Sequence, residues 1–208
     1  MIGSLLYITT SRPDIMHAVG MVGRYQSAPK QSHFLDVKRI FRYLKETMNY
    51  GLWYPKNQNF QLLAYSDVDW DNCMDERKIT SGGVLFLGDS LVAWLSKKQG
   101  SISLSTIEAE YIVVATCCTQ VLWMIQTLAD LEVKYTAPIP IHCDNTSAIN
   151  VSKNPIFHSK TKHIHIKYHF LREQVTNQIV QVHYIPTTEQ IEDIFTKPLA
   201  KTPFEYLR

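Results

Sequence analysis

At 208 residues, 45% of them hydrophobic and 19% charged, the chain can bury a core and falls outside the disordered class. Its net charge of +2 permits a nucleic-acid partner without demanding one, so any basic patch must be local. The four cysteines (Cys73, Cys117, Cys118 and Cys143) form no Cys-x-x-Cys pair, which argues against a zinc module and for reduced thiols. No apolar run approaches the roughly 18 residues of a membrane span, and the start lacks a basic leader with a cleavage site. The expectation is a soluble intracellular chain, cytoplasmic or nuclear, with no membrane partner.

Residues 13–49 read as helical. Pro13 suits a first turn, and "DIMHAVGMVGRYQ" places apolar residues at 15, 16, 19, 21 and 22. A second helix, "SHFLDVKRIFRYLKETM", takes Ser32 as its N-cap and repeats apolar residues near a 3.6 period. "YPKNQN" at 54–59 reads as a linker between an all-helical appendage at 1–53 and an α/β domain at 60–208. Beyond it, "FQLLAYS" is a strand, and "GGVLFLGDS" and "LVAWLSKK" are two strands joined at a Gly-Asp-Ser turn. A long helix is expected at 105–131, then a strand at "IPIHC", a helix at about 146–153 and a basic helix at "KTKHIHIKYHFLREQV". A strand at "IVQVHYI" and one short helix at "TTEQIEDIFTK", stopped by Pro198, close the chain. The order implies a mixed sheet with helices packed on it.

Acidic residues fall at element ends. Asp67 follows the first strand of the α/β part and Asp144 follows "IPIHC", so neighbouring parallel strands could bring them together. Glu108 and Glu110 lie early in the long helix, where residues two apart point about 200° apart and cannot both face one site. "STIE" at 105–108 matches a capping box, which occupies Glu108 and leaves Glu110 without a structural task. Thr187 and Gln190 show a second capping-box spacing, and of the adjacent Glu192 and Asp193 only one is expected to face inward. Three or four converging carboxylates are what a pair of magnesium ions about 4 Å apart needs for phosphodiester hydrolysis.

With these residues in view, the chain resembles the ribonuclease H region of copia-type retrotransposon polyproteins, preceded by the tail of their reverse transcriptase. The matching stretches are "YITTSRPDI", "VKRIFRYLK" and "GLWY", then "YSDVDW", "RKITSGGVLFLG", "WLSKKQ", "STIEAEYIVVA", "CDNTSAI", "NPIFHSKTKHIHIKYHFLRE" and "EDIFTKPL". The resemblance implies a ribonuclease H-like mixed five-stranded sheet with flanking helices. It also implies magnesium-dependent cleavage of the RNA strand of RNA–DNA hybrids, with two Mg2+ ions that Mn2+ could replace. Its acidic site falls on Asp67, Glu110, Asp144 and Asp193. The polymerase domain of a parent polyprotein is the protein partner it suggests, and polymerisation by residues 1–53 alone is not expected. The chain departs from the pattern at Cys73, Gly83, Ile107 and His165, and "IPTTEQ" carries no histidine.

Between 151 and 172 the chain has five Lys/Arg, four histidines and no acid, a local basic helix suited to tracking a phosphate backbone. Lys160, Lys162 and Lys167 there, with Lys97 and Lys98 at a strand end, are the candidate nucleic-acid contacts; a solvated face is the plain alternative. Phe157, Tyr168 and Phe170 could stack on bases or pack in the core, and His165 with His169 has i, i+4 spacing. Trp70, Trp94 and Trp123 read as packing residues. The competing reading of the whole is a catalytically silent nucleic-acid-binding remnant.

Overall fold

The computed structural model describes residues 1–56, 60–69, 79–100, 103, 105–153 and 165–208, with only the backbone of 165–168. Strand β1 (Leu62–Asp69) alternates: Leu62, Ala64 and Ser66 turn to one face and Tyr65 and Asp67 to the other. β2 (Thr80–Leu87) and β3 (Ser90–Lys98) form a hairpin whose turn places Gly88 at a φ of 60°, where a Cβ would be strained. β4 (Ile139–Cys143) and β5 (Val180–Tyr184) complete a sheet of order β3-β2-β1-β4-β5. β1–β2 and β2–β3 are antiparallel pairs, and β1–β4 and β4–β5 are parallel. This is the mixed five-stranded sheet that the resemblance implies.

Helices cover both faces. α4 (Thr106–Asp130), α5 (Thr146–Lys153) and α6 (His165–Thr176) bury Tyr111, Val114, Cys118, Val121, Ile149 and Leu171 against Leu62, Ala64, Ile139 and Ile141. Ser105 caps α4, its hydroxyl accepting the Glu108 amide at 3.2 Å as its spacing predicts. Among the described residues α4 is long and apolar enough to cross a membrane by length and composition, contrary to the expectation from apolar runs. Half of its most apolar stretch is buried on this sheet, which accounts for that composition.

On the opposite face lie α7 (Asp193–Thr196) and α8 (Lys201–Leu207), with Ile194 and Phe195 packed on Val84 beside Tyr65 and Trp94. The N-terminal helices α1 (Ile2–Ile8), α2 (Met16–Gly23) and α3 (Gln31–Glu46) form their own apolar cluster of Leu5, Ile15, Val19, Val22, Val37 and Ile40. Polar contacts tie them to the sheet side, among them Trp94 Nε1 donating to the Thr9 carbonyl at 2.9 Å, Arg24 donating to Thr80 Oγ1 at 3.0 Å, and the His17 ring 3.3 Å from the Phe195 carbonyl.

Several local expectations are corrected. The two helices expected over 13–49 are α2 and α3, but the first opens as a 3₁₀ turn (Pro13–Ile15), and an unexpected α1, held by the buried Leu5, precedes them. Ser32 does not cap α3; Lys30 is the N-cap, because the His33 ring accepts the Lys30 amide at 3.1 Å. The single closing helix divides into a 3₁₀ turn (Thr187–Glu189) and α7, and α8 follows Pro198. Trp123 is 60% exposed and not a packing residue, since α4 turns it away from the sheet; Trp94 is half-buried, and Trp70 lies outside the described residues.

Candidate active site

The site grows from strand register. In the parallel pair, Ser66 lies opposite Cys143, so Asp67 and Asp144 each follow the last paired residue, side by side at the carboxyl ends of β1 and β4. α4 brings Glu110 to the same end, and the short helix α7 opens with Asp193. Four acids from four elements thus converge, as their mutual electrostatic influence records.

Asp67 is 3% exposed, and its Oδ2 accepts a 2.5 Å hydrogen bond from Thr196 Oγ1. That approach depends on Gly82, which pairs with Asp67 across β1–β2: a Cβ there would lie 2.6 Å from Thr196 Cγ2. Burial raises the Asp67 carboxyl to about 6; Thr196 and Lys197 oppose the rise, and the charges of Asp193 and Asp144 add to it. Glu110 is raised well above the usual carboxylate range, first by burial and then by Asp67 and Asp144. Asp144 is partly exposed and accepts a 2.9 Å hydrogen bond from Thr187 Oγ1. Asp193 is raised by burial and held down by Lys197, whose Nζ lies 2.7 Å from Asp193 Oδ1.

The donor set suits a hard divalent cation. Glu110, Cys143 and Asp144 each offer a ligand atom, all within 4.8 Å of one another. Burial, followed by the charge of Glu110, pushes the Cys143 thiol far up, so it stays protonated and leaves the oxygens as ligands. Buried carboxylates that repel one another are costly unless neutralised, and a 2+ ion coordinated by oxygen would supply that charge. The three described thiols, Cys117, Cys118 and Cys143, are free and buried, as the reduced-thiol expectation has it; Cys73 lies outside the described residues.

Of the adjacent acids, Glu192 is the sealed one. It is 0% exposed, neither carboxylate oxygen makes a hydrogen bond of good geometry, and burial with the charges of Asp67 and Glu110 raises it far up. The backbone amide of Val84 opposes that rise only in part. Asp193, half-buried and ion-paired, is the one within reach of solvent ions. Asp69 is the buried last residue of β1, not part of a turn, and its charge acts on His17.

Four positions next to these acids escape sequence reasoning. Thr187 and Gln190 have capping-box spacing, yet Thr187 braces Asp144 and the Gln190 amide donates to the Ser66 carbonyl at 3.1 Å. Thr196 and Lys197 stand three and four residues after Asp193, the helical spacing that would have flagged them.

The basic candidates divide. Lys97 and Lys98 end β3 opposite Ser81 and Thr80, at the same sheet end as Asp67; Lys97 is exposed and Lys98 half-buried. Lys160 and Lys162 lie outside the described residues, as does Phe157, and the side chains of Lys167, His165 and Tyr168 are not described. Phe170 packs against the main core, which answers its case in favour of packing.

No family model matches the chain. It is 40% identical over 204 residues to the "Retrovirus-related Pol polyprotein from transposon RE1" of Arabidopsis thaliana, covering 98% of this chain and 14% of that protein. It is 36% identical over 205 residues to the corresponding polyprotein from transposon TNT 1-94 of Nicotiana tabacum, covering 98% of this chain and 15% of that one. The chain therefore spans about one seventh of the length of these curated relatives. Similar solved structures include RNase H1 from the halophilic archaeon Halobacterium salinarum (TM-score 0.43, 16% identical, 65% of this chain and 94% of that one). Another is LC11-RNase H1 in complex with RNA/DNA hybrid (TM-score 0.48, 12% identical, 65% and 93%). The alignments span 98% of the chain, and its homologues are retrovirus-related Pol polyproteins of copia-type transposons.

Proposed function

We propose that this chain is the ribonuclease H segment of a transposon Pol polyprotein, hydrolysing the RNA strand of RNA–DNA hybrids with magnesium, manganese being able to substitute. One observation carries the reading: Asp67, Glu110, Asp144 and Asp193 reach one end of the sheet from four separate elements, with mutually raising charges that a divalent cation would balance. Residues 60–208 are then the ribonuclease H-like domain, 54–59 a linker and 1–53 the end of the reverse transcriptase.

The four carboxylates would hold the metal. When bound, the ions would activate a water and relieve charge on the leaving oxygen. The chain's own residues keep the acids in place. Thr196 orients Asp67, Thr187 orients Asp144, and the protonated Cys143 fills the space beside Glu110 without competing as a ligand. Lys97 and Lys98 offer positive charge for the hybrid's backbone at the same sheet end, with Lys160, Lys162 and Lys167 of the basic segment as further contacts.

Purified protein is expected to shorten a labelled RNA strand in a hybrid when magnesium is added, and not when EDTA replaces it. Asp144→Asn is expected to lower the rate at least about a hundredfold while leaving the fold intact by circular dichroism. Hybrid binding with no cleavage at any metal concentration would favour the silent remnant instead.

A further inference from the structure

Lys197 has no part in the acid set that carries the proposed chemistry, yet it stands inside it. The chain leaves α7 in an extended conformation at Lys197 (φ −135°, ψ 155°), with Pro198 following, and the side chain turns back to Asp193. Nζ sits 2.7 Å from Asp193 Oδ1, with the lysine side chain 31% exposed. Burial alone would lower the Lys197 ammonium, but Asp193, Asp67 and Asp144 together raise it above its ordinary value. In return its charge opposes the rise of the carboxyls of Asp67, Glu110 and Asp193. Lys201, one helix on, shows the contrast: 85% exposed and 4.0 Å from Glu205, it is an ordinary solvated lysine.

We infer that Lys197 is a tethered counter-cation at the Asp193 corner of the site, neutralising the acids when no metal is bound and competing with a divalent ion for that carboxylate. The inference rests on the metal-binding reading of the cluster. A divalent ion binds carboxylate oxygen at about 2.0–2.2 Å, so it would share an oxygen with an ammonium at hydrogen-bond distance and repel it. The lysine must swing aside, and the affinity measured for the metal is reduced by the lost ion pair.

The test is Lys197→Met in the full chain, with Lys197→Arg and Lys201→Met beside it. Mn2+ affinity would be read by titration calorimetry and unfolding temperature by circular dichroism in EDTA. Lys197→Met is expected to bind Mn2+ about three- to tenfold more tightly than wild type. It is also expected to unfold about 2–4 °C lower in EDTA at pH 8, because the acids lose their counter-charge. Lys197→Arg, which keeps the charge, and Lys201→Met should both stay within about twofold of the wild-type affinity. Should Lys197→Met fail to fold, weaker Mn2+ binding by Lys197→Gln than by wild type would overturn the competition. So would wild-type binding with an unchanged affinity in Lys197→Met. If neither wild type nor Lys197→Met binds Mn2+, the metal-binding reading itself falls, and the competition with it.

Discussion

Asp67 offers a direct measure of what the site costs the fold. Its carboxyl rises from 3.8 to about 6 on folding, mainly through burial. Between those two pH values the folded chain holds a proton that the unfolded chain has released, so stability falls as pH rises, by about 1.4 kcal/mol per pH unit. By pH 7 the accumulated cost is about 3 kcal/mol, an upper bound because neighbouring acids can share the proton. At 3% exposure there is little solvent screening to discount. Asp67→Asn removes the charge, keeps the shape and can still accept the Thr196 hydrogen bond. In EDTA at pH 8 it should therefore be more stable than wild type by up to about 3 kcal/mol. For a chain of this length that is a gain of about 6–12 °C in unfolding temperature. The gain should shrink to about 0.5 kcal/mol near pH 4, where the folded carboxyl is protonated and the unfolded one only partly ionised, and should also shrink when Mg2+ neutralises the wild-type site. Thermal unfolding followed by circular dichroism from pH 4 to 8, with and without Mg2+, reads all three. An Asp67→Asn protein no more stable than wild type at pH 8, or one whose advantage does not change with pH, would refute the reasoning.

Two further expectations separate neighbours that sequence treats alike. Gly82→Ala should lose about 2–3 kcal/mol in urea unfolding, because its Cβ would meet Thr196 Cγ2 at 2.6 Å and push the hydroxyl off Asp67. Gly83→Ala, with 3.9 Å to its nearest neighbour, Glu192 Oε1, should instead gain about 0.5–1 kcal/mol. Glu192→Gln should stay within about 1 kcal/mol of wild type at pH 7, since burial favours the neutral form of the native group, and should keep the rise in unfolding temperature that Mn2+ gives. Asp193→Asn should lose most of that rise, read in the same scan.

The architecture was legible where the signals are periodic or carried by special residues. β1 through β3, α4 with its Ser105 cap, β4 and β5 all follow from alternation, helical repeat and turn chemistry. What was not legible depends on tertiary contact. α1 and α8 are single short helices whose sequences carry little amphipathic signal, and they persist because Leu5 is buried and Phe204 and Leu207 pack beside the opposite sheet face. Thr187 and Gln190 carried the right residues at the right spacing for a cap, but the backbone there turns too tightly for an α-helix, and both side chains were freed to hold the site. Helical periodicity alone could not choose between Glu192 and Asp193. Their difference is one of depth: the first is sealed against β2 and the second faces Lys197.

The hydrogen bond from Thr196 to Asp67 joins residues 129 apart in the chain. It sets an order of events during synthesis, since folding rewards such distant contacts only after the intervening chain has been arranged. β1 can pair with β2 early, but its parallel partner β4 comes some seventy residues later and α7 later still. Until α7 emerges, Asp67 lacks both its donor and the lysine beside Asp193. An incomplete chain therefore holds at most Asp67, Glu110 and Asp144, and the four-acid cluster is complete only when the last helix before Pro198 docks. The four-residue helix acts as a clasp, closed last, that makes the four-acid cluster a property of the finished fold.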